Sequence, residues 1–134
     1  TSLPHNLHTL EIEGWQLSAA GLKTLSDMPL TTLNLARITC CDLKEGLSYL
    51  PRSLKKLMLS QNALSALYLT SLQELTQLQE LDVSYIEGYE GTLDDAPLEL
   101  PQSLTTLNLA YAGTLHKQTI HSFKKLKNLK TLVL

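Results

Sequence analysis

Residues 54–64 read LKKLMLSQNAL, with leucine at the first, fourth, sixth and eleventh places and asparagine at the ninth. A helix places apolar residues every third or fourth position, and a half-buried strand places them at every second one. Neither rule holds over the whole stretch. The Leu57-Met58-Leu59 core predicts a three-residue strand with Leu57 and Leu59 on one face. Leu54 and Leu64 then act as anchors on either side, after the chain has turned.

The stretch repeats. The pattern L-x-x-L-x-L begins at Leu7, Leu30, Leu54, Leu78, Leu104 and Leu129, at intervals of 23, 24, 24, 26 and 25 residues. Self-similarity at one near-constant period marks a repeat architecture. Residues 1–134 therefore read as one domain of about five full repeats and a truncated sixth. Three strand residues are too few to stand alone. Stacking such strands ~4.8 Å apart lets each leucine pack on its equivalents above and below.

Between the strands, helical spacing returns. Ser18 is placed to cap a helix carrying Leu22, Leu25 and Met28. Asp42-Leu43-Lys44-Glu45 has the form of a capping box ahead of Leu47 and Leu50. Ser65 precedes Leu69, Leu72 and Leu75. Ile120, Phe123 and Leu126 share a face, with Lys124, Lys125 and Lys127 late in that helix, where they suit its macrodipole. The fourth repeat differs, because Gly88, Gly91, Pro97 and Pro101 interrupt it; a loop with one short turn is expected over residues 86–103.

These repeats resemble the leucine-rich repeat family. The resemblance implies an α/β fold, a right-handed solenoid with a concave parallel β-sheet and a mostly helical convex side. The period and the convex helices lie near the ribonuclease-inhibitor-like class. Leu50-Pro51-Arg52-Ser53-Leu54 and Leu100-Pro101-Gln102-Ser103-Leu104 share an LPxSL form that Leu3-Pro4-His5-Asn6-Leu7 nearly repeats. That lead-in looks like bacterial LPx-type repeats, and the blend is similar to leucine-rich-repeat effectors of intracellular bacterial pathogens. The chain departs from the family at the ninth place, which holds Trp15, Ile38, Asn62, Ile86 and Ala112; only Asn62 is the expected asparagine. Either waters and local turns replace the missing ladder, or the coil is less regular than the consensus. Leu3-Pro4 reads as the tail of an earlier repeat and Leu134 falls inside a strand, so an excerpt of a longer array, or ends covered by a partner, is expected.

Composition narrows the function. Leucine makes up about a quarter of the chain, and 11 basic against 13 acidic residues leave a net charge of −2. That argues against a general nucleic-acid or membrane-surface binder. No apolar run approaches the ~18 residues of a membrane span. Cys40 and Cys41 are adjacent, too close for an ordinary disulfide. No Asn-x-Ser/Thr sequon occurs, so a cytosolic or otherwise reducing compartment is expected. If the effector resemblance holds, a bacterium secretes the protein into a host cell.

Catalytic chemistry is sparse. There is no phosphate-cradling glycine loop, no HExxH and no CxxC, and His5, His8, His116 and His121 do not fall at metal-ligand spacing. Cys40 sits at the eleventh repeat place, where a packed thiol is expected, and Cys41 has only Asp42 for a neighbouring acid; a nucleophile needs a base within reach. Asp94-Asp95 lacks the alternating spacing of a calcium loop. A non-catalytic chain without cofactor, metal or small-molecule substrate is expected.

What remains is surface. With core leucines at places four and six, places three, five, seven and eight point from the concave face. The candidate partner-binding residues there are Glu11, Glu13, Asn34, Arg37, Lys56, Met58, Gln61, Glu80, Asp82, Tyr85, Asn108 and Tyr111. Two tyrosines, an arginine and an outward methionine are what protein interfaces favour. Charge is also segregated. Residues 78–103 carry seven acids and no Lys or Arg, whereas residues 104–134 carry five lysines and no acid. The acidic group includes the interrupted segment with Tyr89, a second candidate contact. The reading is a protein-recognition module holding one protein partner, a host protein or another bacterial effector, with no strong signal for homo-oligomerisation. The alternative is the substrate-targeting part of a larger enzyme, such as a bacterial ubiquitin ligase. An extracellular receptor is disfavoured by the missing sequons and flanking cysteines.

Overall fold

A computed structural model describes residues 3–40, 42–86, 97–114 and 116–134. The chain is mixed α/β. Six three-residue strands, β1 (Thr9–Glu11), β3 (Thr32–Asn34), β5 (Lys56–Met58), β6 (Glu80–Asp82), β7 (Thr106–Asn108) and β8 (Thr131–Val133), form one parallel sheet in chain order. A parallel two-strand ribbon joins β2 (Gln16–Leu17) to β4 (Thr39–Cys40).

The register puts Leu10, Leu33, Leu57, Leu81, Leu107 and Leu132 opposite one another along the ladder. Leu33, Leu57, Leu81 and Leu107 are buried, as are Leu35, Leu59, Val83 and Leu109 two residues on. These two columns form the core wall that the period-two spacing predicts. Each fully buried leucine contributes about 1.5–3 kcal/mol. Leu132 at the last strand is 37% exposed.

The segments between the strands close the core. Helix α1 (Ala19–Lys23) starts at Ser18, whose Oγ accepts the Gly21 N–H at 3.0 Å. Helix α3 (Ala66–Leu69) starts at Ser65, whose Oγ accepts from Tyr68 N at 3.4 Å, and continues as a 3₁₀ helix over Thr70–Glu74. Between them, α2 (Leu43–Leu47) packs on both. The expected leucines and Met28 are buried beneath these helices. The capping box does not form. Asp42 has ψ 51°, far from the extended backbone of a capping residue, and its side chain makes no capping bond. Glu45 instead accepts the Tyr49 hydroxyl at 2.7 Å, a bond that raises the Tyr49 phenol above its usual range.

The last helix, α4 (Lys117–Ser122), faces the core differently from the expected Ile120 stripe. Ile120 is exposed, whereas Thr119 and Ser122 are buried; Phe123 is half-buried and Leu126 buried. The Leu98 N–H needs an acceptor. Ser122 Oγ supplies it at 2.8 Å and donates to the Gln118 carbonyl at 2.9 Å, which holds this polar side inward. Residues 97–100 are irregular. The expected acidic loop falls largely on 87–96, and the Cys40 and Cys41 thiols, like that loop, lie outside the described residues.

The LPxSL lead-ins have a structural use. Ser53 Oγ donates to Leu30 O and Ser103 Oγ to Leu78 O, both at 2.6 Å, tying these two repeats to the ones before them. Among the described residues no helix is long and apolar enough to cross a membrane.

Candidate functional site

The outward face of the six-stranded sheet is built from alternate strand residues. At place three, Lys56 and Glu80 sit opposite one another on β5 and β6 and form an ion pair at 3.5 Å. Lys56, Met58, Glu80, Asp82, Thr106 and Asn108 line a shallow depression of about 200 Å³ over Leu57 and Leu81. Five of these six were candidates from the sequence; Thr106 was not. Glu11 is exposed on β1, at the edge of the sheet.

Place five serves the backbone as well as the surface. The Oδ1 atoms of Asn34, Asp82 and Asn108 accept the N–H two residues on, from Ala36 at 2.9 Å, Ser84 at 2.9 Å and Ala110 at 3.0 Å. An Asx side chain bonded in this way closes the turn that ends its strand. Asn34 is only 8% exposed and so offers a partner little, contrary to its place among the contact candidates. The recurrence of Asn or Asp before a small residue at i+2 was the sequence signal for these turns.

Place seven also departs from the outward assignment. Ala36 and Ser84 are buried, while Glu13 stays exposed. The reason lies at place eight, where the backbone turns left-handed in every repeat that has one. Gly14, Arg37, Gln61, Tyr85 and Tyr111 have φ of 78°, 54°, 58°, 53° and 56°. The turn carries place seven back toward the core and throws the place-eight side chain outward. A left-handed conformation costs an L-residue about 1–2 kcal/mol, a cost glycine avoids.

The side chains at place eight form a row. Arg37 reaches Glu13 Oε1 with Nε at 3.1 Å and Nη2 at 2.9 Å. Gln61 is half-buried. Tyr85 and Tyr111 stack with ring centroids 4.7 Å apart and planes 17° from parallel. Tyr111 is nevertheless 74% exposed and Tyr85 48%. Trp15, singled out in the sequence only because it replaces asparagine at the ninth place, is a further exposed aromatic.

Among the described residues no three His, Cys, Asp or Glu side chains converge to hold a metal ion. The arrangement offers stacking, ion pairing and apolar contact. No protein-family model matches the chain, and no curated protein matches its sequence.

Proposed function

We propose that this chain is a non-catalytic protein-recognition module, a leucine-rich-repeat solenoid that holds one protein partner against its concave sheet. The carrying observation is the Tyr85–Tyr111 ledge. Stacked aromatics contribute about 0.5–1.5 kcal/mol, which offsets only part of two left-handed backbones. Burial adds little at rings this exposed. Contact with another protein accounts for bulky aromatics where glycine would fold at least as well. Tyrosine gives large amphipathic area at small entropic cost, and such residues dominate binding energy.

The solenoid reading is supported by strands that pair in chain order, one per period, with their leucines in one column. Six strands ~4.8 Å apart span about 25 Å, enough for a helix or the face of a small domain. The LPxSL lead-ins support a bacterial origin, with a host protein or another effector as the partner.

The test is affinity capture from host-cell and bacterial lysates, comparing the wild type with Tyr85→Ala/Tyr111→Ala. A protein retained by the wild type and lost by the variant, whose circular dichroism is unchanged, is the expected result. Identical captured sets would move the binding site off the ledge.

A further inference from the structure

We propose that the rim where the strands begin is a second docking site, taking an extended acidic stretch of a protein. A groove of about 700 Å³ runs along this rim beside Lys55, Lys127 and Lys130, with Gln77, Gln79 and Asn128 between them. Among the described residues no carboxylate lines it. Among the described residues, the ion pairs involve Arg37, Arg52, Lys56 and Lys125, and none of the three groove lysines. Three cations outside every ion pair of the described residues, in a chain of net charge −2, are a local departure from the whole.

The spacing sets the ligand. Lys55, Gln79, Thr105 and Lys130 each precede the first residue of their strand, and those first residues pair in register. Lys55 and Lys130 are thus three strand steps apart, ~14 Å. An extended peptide covers that distance in about four residues. Side chains at i and i+4 of an extended chain point the same way, so two acids at that spacing face both lysines together. The amides of Gln77 and Gln79 can donate to and accept from the peptide backbone between them.

A peptide is favoured over a nucleic acid. Among the described residues the groove has no aromatic lining on which bases stack. The adjoining sheet carries Glu11, Glu80 and Asp82, which repel a backbone charged at every unit more than two carboxylates held at the lysines.

The test is fluorescence anisotropy at low ionic strength with a labelled extended peptide bearing two glutamates about four residues apart. Lys55→Gln and Lys130→Gln should each weaken binding ~3-fold, and ~10-fold together. Lys44→Gln on α2 should leave it unchanged. Amide shifts should concentrate at Gln77, Gln79 and Thr105, and thermal melts should confirm that each variant folds. The proposal is overturned if the glutamine version of the peptide binds equally well, if Lys44→Gln weakens binding as much, or if a single-stranded oligonucleotide binds more tightly through the same lysines.

Discussion

Asn62 Oδ1 accepts the N–H of Ile38, one coil earlier, at 3.0 Å, while Asn62 Nδ2 donates to the carbonyls of Leu35 and Leu59, each at 2.9 Å. Asn62 is 2% exposed, so water does not replace these bonds. Each buried polar group left unpaired costs about 1–3 kcal/mol. Asn62→Leu is expected to lower unfolding free energy by about 2–4 kcal/mol in urea titrations. A loss below about 1 kcal/mol would mean the turn reorganises around an apolar side chain.

The left-handed backbone at place eight separates two substitutions at Gln61, whose φ is 58°. Gln61→Gly removes a steric cost of about 1–2 kcal/mol and adds a chain-entropy cost of about 0.5–1. It should melt at or slightly above the wild type. Gln61→Val, β-branched, should melt several degrees lower. The reverse order would contradict the backbone assignment.

The leucine column predicts a gradient. Leu57→Ala sits at a fully buried site and should cost about 2–5 kcal/mol. Leu132→Ala, at the exposed last strand, should cost a fraction of that. Chemical denaturation of both variants measures the difference, and equal losses would argue against the contrast in burial between Leu57 and Leu132.

On α4 the polar residue should matter more than the apolar one. Ser122→Ala orphans the Leu98 N–H and should cost about 1–3 kcal/mol. Ile120→Ala, at an exposed position, should cost less than about 0.5 kcal/mol. A larger loss for Ile120 in thermal melts would restore the simple helical stripe.

For the ledge, Tyr85→Ala and Tyr111→Ala should each leave the fold intact and weaken partner binding by about 1–2 kcal/mol or more. In a double-mutant stability cycle the pair should show about 0.5–1.5 kcal/mol of coupling. Zero coupling together with unchanged affinity would leave the stack without energetic meaning.

The amino-acid sequence by itself determined the period, the six strands, the two leucine columns and the caps at Ser18 and Ser65. Each rests on local rules: alternate strand residues face opposite ways, and a serine hydroxyl reaches the peptide N–H three residues on. Most of the outward residues were legible for the same reason.

Only the tertiary structure decided which polar side chains are free to meet a partner. Asn34 looked like surface and is committed to a turn, because the backbone it serves is buried and must be paired. Ile120 looked like core and is exposed, because the Leu98 N–H from the preceding coil draws Ser122 inward. The stacking of Tyr85 on Tyr111 depends on the register of two coils and on left-handed turns in both. The Leu98–Ser122 and Tyr85–Tyr111 relations span 24 and 26 residues of chain, a distance over which no local pattern specifies how two side chains meet.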